Sequence, residues 1–458
     1  MMTHNGLFRN PMEFDMALQP AAFYMLRKGI RIDETVREKF REQFSTEITK
    51  FYGDLDRVIG APLKAKKSIS DDKVKKWLYG EMKIKPRTKN KKVTSDEDAL
   101  RAIMAECAAN LPKAKTAEKK THLMRVFLAL KIILQIKTRE KLMSSYIQME
   151  IDSDGRVRCS ETVGGAETGR FAHSGTPWDT GTNLATIPRK LRTMFIADEG
   201  KELAEFDLNR GESWVYSFLS LDPELIRIHT TGGDFHSESA SAISLAFGSK
   251  FYTVQEIIEL NEVGSDFGYK IRYLGKKVNH ASAYQMGPFR GCEVVNAEAD
   301  DTGITVVPSQ YKKAQTLWQQ KYYMMPEWWK GIKKQIETTR KLETPFGRQR
   351  IFYDFLSESL FKEATAWVPQ STSVDYLNMG MLRVFNALVL TGKCELLHQN
   401  HDSILIQYPQ GDRDEIIPQV MELLTSQLVI NNCEFSIPVE GSYGQNWKEL
   451  KTWKPTTN

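Results

Sequence analysis

The stretch that most constrains this chain is "KCELLHQNHDSILIQY", residues 393–408. Two apolar, β-branched runs flank a short polar centre, the signature of a β-hairpin. The hairpin places a sheet element in a chain of otherwise mainly helical and mixed texture. Asp402 falls at its tip. An Asp there ordinarily serves the turn, because its side chain bonds its own backbone.

Residues 12 to about 150 carry apolar side chains near helical spacing, with Gly29 as a break. Residues 150–210 turn strand-like and Gly-rich through "DGRVRCSETVGGAETGRFAHSGTPW". Residues 212–350 are again mostly helical and 350–458 are mixed. Within the first part, residues 64–93 hold 12 Lys/Arg against 3 Asp/Glu. Such a stretch is either a solvated loop or a surface that contacts phosphates and releases their counterions. The 458 residues suffice for two or three domains or one multi-lobed one, and the net charge of +5 is compatible with a nucleic-acid partner.

Five Cys (107, 159, 292, 394, 433) are scattered with no CxxC, which fits reduced thiols. The first twenty residues lack an apolar signal core. The most apolar run, "VFLALKIILQI", is too short to span a bilayer. The expectation is a cytoplasmic protein with no membrane partner.

A second acid lies in "ELAEFDLNRGESWVYSFLSL". "ELAEFDL" reads as a strand and "ESWVYSFLSL" as a helix after a Gly break, so Asp207 falls at a strand end. Asp207 and Asp402 are 195 residues apart. If their strands are neighbours, two carboxylates converge and repel, and divalent cations relieve the repulsion. Hard oxygen ligands with open positions suit Mg²⁺. Two such ions stabilise the attacking and leaving oxygens of an in-line phosphoryl displacement.

A third segment, "GYKIRYLGKKVNHASAYQMG", predicts a helix over 268–287. Arg272, Lys276, His280 and Tyr284 recur every four residues. Each step of four advances about 400°, so the four share one slowly drifting face. That face is either a solvated cationic surface or a triphosphate grip, with Arg bidentate, Lys a point charge, and the aromatic end against a base or sugar.

These three segments resemble motifs A, B and C of the family A DNA polymerases, the group of bacterial DNA polymerase I. The resemblance extends through "GRFAHSGTPWDTGTNLATIP", "GGDFHSESASAI", "TPFGRQRIF", "WVPQST" and "VEGSYGQNW", and covers residues 12–450. It implies an α+β chain with a right-hand polymerase fold. The expected divisions are a helical thumb (1–148), a palm of antiparallel sheet in two parts (149–211 and 351–458), and helical fingers (212–350). It further implies a template-directed DNA polymerase acting on primer–template DNA and dNTPs with two Mg²⁺ ions, for which Mn²⁺ substitutes. By position, Asp207 and Asp402 resemble the metal-binding palm carboxylates. Arg272, Lys276 and His236 resemble the triphosphate contacts, with Lys276 also catalytic. His280 and Tyr284 resemble the rings beside the incoming nucleotide and the templating position. Glu212 resembles the acid that blocks a ribose 2′-hydroxyl. Arg170, Gln370 and His401 resemble the minor-groove readers near the primer end, where every Watson–Crick pair offers acceptors.

The sequence departs from the family pattern at several points. Ser403 follows the motif C Asp where Glu is usual, His280 replaces Phe or Tyr, and Gln285 replaces Gly. Lys362 and Ala366 stand where Arg and Asn are common. There is no room before residue 12 for a proofreading exonuclease and residues 1–150 contain no Asp-x-Glu, so none is expected. A stand-alone region of this kind suggests a phage or mobile element, in which case it works in the host cytoplasm. The alternatives are an RNA-synthesising relative, suggested by Ser403, and an inactive fold that only binds primer–template.

Overall fold

The computed structural model describes residues 8, 10–64 and 68–455. Lys66 and Lys67 of the basic stretch lie outside it. In chain order, the helices that matter here begin with α1 (Pro11–Lys28), α2 (Glu34–Ile59), α3 (Glu97–Asn110) and α4 (Ala117–Leu142). They continue with α5 (Gly211–Ser220), α6 (Phe235–Phe247), α7 (Asp266–Ala283), α8 (Pro308–Lys321), α9 (Glu358–Val384) and α10 (Arg413–Leu424). The strands are β1 (Ser160–Thr162), β2 (Ala172–Ser174), β3 (Lys201–Leu208), β4 (Glu395–Asn400), β5 (Ser403–Pro409), β6 (Val439–Gly444) and β7 (Lys451–Thr452).

Strands β4-β5-β3-β6-β7 form one antiparallel sheet in that order. Side chains of a strand alternate between its two faces. On β3, Ala204, Phe206 and Leu208 enter one core with α1, α5, α9 and α10, where Ile404, Ile406 and Tyr408 of β5 join them. Leu203 and Leu405 enter a second core on the opposite face, with Phe195 and Trp447. The odd-numbered series on β3 continues from Leu203 to Glu205 and Asp207. One face of the strand therefore changes from apolar to acidic toward its end.

Two helical lobes flank the sheet. Val126, Leu130 and Ile133 of α4 pack with Leu55 of α2 and Leu100 of α3 in a core of their own. Helices α6, α7 and α8 share another core, around Ile243, Val278 and Trp318. Helix α1 belongs with the sheet rather than with the α2–α4 lobe, because Phe14, Leu18 and Met25 enter the sheet's core. Among the described residues no helix is long and apolar enough to cross a membrane.

One buried ion-pair cluster ties the sheet's helices together. Arg348 donates to Asp375 on α9 (3.0 and 2.8 Å) and to Asp15 on α1 (3.0 and 2.7 Å). Asp375 is fully buried. The same guanidinium explains a glycine. Gly169 has φ +80°, and a Cβ there would sit 2.8 Å from the Arg348 Cζ. The Gly-Arg step thus passes close over Arg348 and sets Arg170 beside the cleft. Removing one partner of a buried ion pair strands the other charge, at a cost of about 3–5 kcal/mol. Arg348→Met is expected to destabilise the protein by about that amount. A fall in the urea midpoint, followed by circular dichroism, checks it, and an unchanged midpoint would show that Asp375 is held by other contacts.

Candidate active site

The site begins with strand register. Asp207 on β3 pairs with Ser403 on β5, directly after Asp402, and with Glu440 on β6. The Leu208 N–H donates to the Asp402 carbonyl at 3.0 Å. The two acids singled out in the sequence therefore stand on adjacent strands. The β4–β5 connection is the two-residue turn His401-Asp402, with His401 in the left-handed region at φ +56°. Asp402 is both a turn residue and a carboxylate presented to the cleft.

Four carboxylates crowd this end of the sheet. Asp207 is open to solvent at the cleft floor, but the surrounding walls strip much of its hydration. Burial, followed by the charges of Asp402, Glu205 and Glu440, pushes its carboxyl up to about 8. Glu205, Asp207, Asp402 and Glu440 line an open cavity of about 480 Å³. Asp402 also lines an adjoining cleft of about 340 Å³, with Glu212, His236, Lys276, His280 and Tyr284.

Helix α7 supplies the far wall of that cleft. It packs closely on α6 because residue 275 is glycine: a Cβ there would lie 2.6 Å from the His236 carbonyl oxygen and 2.8 Å from the Ala240 nitrogen. This approach brings Lys276 of α7 beside His236 of α6. Lys276 is exposed to the cleft. Burial, then Arg272 and Lys276, pushes the His236 imidazole down to about 4, so it is neutral near pH 7.

The helix expected over 268–287 is observed at Asp266–Ala283. Tyr284 already has non-helical angles and Gln285 adopts φ +56°. Gly287 and Pro288 then start the next helix. Tyr284 thus departs from the helical stripe, although its ring stays in the cleft and meets His280 edge-on at 5.7 Å.

The stripe is divided at its other end as well. Arg272 does not line the cleft. It forms a bidentate pair with Asp234 (3.0 and 3.2 Å), which also caps the N-terminus of α6. Burial opposes the Asp234 charge, but the hydrogen bonds from Arg272 and Ser237 hold its carboxyl below the usual range. Helical periodicity carried no sign of this ion pair, whose partners lie 38 residues apart.

Glu212 joins three distant segments. It accepts from Arg170 at 2.8 Å and from the Tyr284 hydroxyl. Burial first, and then this carboxylate, raise the Tyr284 phenol well above its ordinary range. His401 lines the cleft with Arg170. Burial and then Arg170 push its imidazole down. Gln370 is not brought to this cleft. It lies on α9, in a separate shallow depression with Glu167, Thr168, Arg350 and Ala366.

Residues 34–449 match the model of DNA polymerase family A. The chain belongs to that family. It is 24% identical to the thermostable DNA polymerase I of Thermus filiformis, over 96% of this chain and 48% of that protein. With the DNA polymerase I of Helicobacter pylori (strain ATCC 700392 / 26695) the identity is 22%, over 93% and 42% respectively. The chain spans about half the length of the curated relatives it matches. Its fold is similar to the POL domain of Pol1 from M. smegmatis, solved in complex with DNA primer-template and dNTP. The TM-score is 0.72 at 20% identity, over 95% of this chain and 70% of that one. The architecture is the expected α+β right hand, with an antiparallel-sheet palm between a helical thumb and helical fingers.

Proposed function

We propose that this chain is a template-directed DNA polymerase that joins deoxynucleotides to a primer 3′-hydroxyl. The observation that carries the reading is the convergence of Asp207 and Asp402 on adjacent strands, beside a cleft walled by Lys276, His236 and Glu212. In the hand, the thumb is the lobe of α2–α4. The palm is the five-stranded sheet with α1, α5, α9 and α10, and the fingers are the lobe of α6–α8.

The donor set fits divalent cations. Hard carboxylate oxygens crowd one solvent-reachable spot, where burial and then their mutual repulsion disfavour full ionisation. Asp207 and Asp402 would hold two Mg²⁺, or Mn²⁺ in their place. Bound there, the ions would stabilise charge on the attacking and leaving oxygens of the phosphoryl transfer.

The chain's own groups do the remaining work. Lys276 meets triphosphate oxygens as a point charge and stabilises the pyrophosphate that leaves. His236, neutral, offers a hydrogen bond rather than charge. Arg272 is held by Asp234 and exchanges that carboxylate for phosphate when nucleotide arrives. Glu212 fills space beside the sugar. Arg170 and His401 serve the minor groove at the primer end, with Gln370 farther along α9. The exposed Lys91 and Lys92 of the basic stretch are available to duplex phosphates.

Primer extension with Mg²⁺ and either dNTPs or NTPs tests the proposal. Extension with dNTPs is expected. Extension with NTPs alone would identify an RNA-synthesising relative, and none with either would leave a primer–template-binding fold.

His280 is exposed to the cleft and carries an N–H donor where the family usually has Phe or Tyr. On this reading its ring reaches the sugar of the incoming nucleotide. His280→Phe is expected to increase discrimination against dideoxynucleotides several-fold, with kcat/KM for dNTPs changing less. Equal ddNTP/dNTP ratios for the two proteins would mean that the imidazole does not touch the sugar.

A further inference from the structure

Behind the β4–β5 turn lies a cluster that the polymerase reading does not use. Glu161 on β1 and His173 on β2 are direct cross-strand partners. His398 on β4 faces them from the palm, re-aimed by an irregularity in the β4–β5 register between Leu396 and His398. Each of the three offers a ligand atom within 4.8 Å of the others. The His173 and His398 rings meet edge-on at 5.0 Å, and the His173 ring stands 6.1 Å from that of His401.

The hydrogen bonding here is incomplete. His398 Nδ1 lies 2.6 Å from Glu161 Oε1. The Glu161 Oε2 and His398 Nε2 atoms are buried without a partner, and both side chains are almost wholly enclosed. Buried polar atoms left unpaired are costly and uncommon. The third residue is already oriented. His173 Nε2 meets the Gln399 carbonyl oxygen at 2.8 Å, which makes that nitrogen the N–H donor and leaves Nδ1 with its lone pair. A histidine whose other nitrogen donates to a backbone carbonyl is the usual arrangement for a metal ligand.

We infer that Glu161, His173 and His398 form a binding site for a divalent transition ion of the zinc type, which ties the β1–β2 hairpin to the palm hairpin β4–β5. The choice of ion follows from the donors. Two imidazoles and one carboxylate suit Zn²⁺, whereas Mg²⁺ prefers an all-oxygen shell. Tetrahedral ligation with bonds of about 2.0–2.2 Å places ligand atoms about 3.4 Å apart, so shifts of about an ångström close the set. The fourth position is left for water, and His173, the least buried of the three, provides the path of entry.

Charge state is consistent with this geometry. Burial pushes both imidazoles down, which keeps them neutral as ligation requires. Burial pushes the Glu161 carboxyl up, so the ion displaces its proton to solvent and leaves a carboxylate bound to the cation. The site is distinct from the palm acids. It lies behind His401, and its consequence is positional. Arg170 sits on the segment between β1 and β2, so an ion there holds Arg170 in register with the turn that presents His401 and Asp402.

The test is metal retention. Wild-type protein is loaded with one equivalent of Zn²⁺, gel-filtered in excess Mg²⁺, and assayed for metal by mass spectrometry. Asp402→Asn is treated in parallel, to take the palm acids out of the comparison. About one Zn²⁺ per chain is expected in both. His173→Ala, which alters the least buried of the three ligands, should lose it, and Glu161→Gln should bind at least about tenfold more weakly. Co²⁺ in place of Zn²⁺ should give visible absorption bands in the wild type that vanish in His173→Ala. Failure of the wild type to retain the ion would overturn the proposal by itself, whatever the variants do. Unchanged retention by a folded His173→Ala protein would also overturn it, as would loss of the ion in Asp402→Asn, which would place it on the palm acids.

Discussion

Asp402→Asn is expected to abolish primer extension while leaving the fold and duplex binding in place. The substitution removes one charge and keeps the volume. The turn survives, because the contact that links it to β3 is the Asp402 backbone carbonyl, which accepts from the Leu208 N–H. Asn also tolerates turn geometry as well as Asp does. No ion pair within the protein is lost, since Asp402 forms none among the described residues. What is lost is one of the two carboxylates proposed to hold the catalytic ions. A ligand that supplies about 4 kcal/mol of transition-state stabilisation corresponds to about 10³-fold in rate. Single-nucleotide incorporation measures the rate, and fluorescence anisotropy with labelled primer–template measures binding. A large fall in the first with little change in the second is expected. Near-normal extension would sink the two-ion reading of the palm.

The second large effect is on sugar selection. Glu212 lies five residues after Asp207, at the start of α5, and lines the cleft. Its carboxylate is fixed by Arg170 from one side and Tyr284 from the other. A side chain held in this way cannot swing aside for an extra oxygen, and exclusion by an occupied pocket is worth a few kcal/mol. Glu212→Ala opens the space and releases both partners. The ratio of rNTP to dNTP kcat/KM is expected to rise about 10–100-fold. Glu212→Gln keeps the volume and separates filled space from charge: it should leave selection nearly unchanged. An unchanged ratio in Glu212→Ala would place the gate elsewhere, and an equal rise in both variants would assign selection to the carboxylate's network rather than its bulk.

Tyr284 also shows how local and tertiary information divide. Its place four residues after His280 puts it on the helical stripe by periodicity. The helix ends at Ala283, one residue before it; Gln285 then takes a left-handed angle and Gly287-Pro288 opens the next helix. Its ring reaches the cleft all the same, because the Glu212 carboxylate holds the hydroxyl. Arg272 fits the periodic stripe but not its expected freedom, since Asp234, 38 residues earlier, already occupies it. Gln370 was expected with Arg170 and His401, yet the long α9 carries it to a neighbouring surface.

The amino-acid sequence by itself determined the local elements: the palm hairpin, the strand ending in Asp207, and the helix carrying Lys276 and His280. These follow from hydrophobic period and backbone freedom, which act over a few residues. Its motifs also named the family. Tertiary structure alone decided that β3 lies beside β5, so that two acids 195 residues apart converge. It alone decided that Arg272 is paired, and that Glu161, His173 and His398 meet. A strand's periodicity tells which face a side chain takes but not which strand lies alongside. That choice is made by how the apolar faces bury against one another, and a buried carboxylate or imidazole acquires its partners only once that burial is complete.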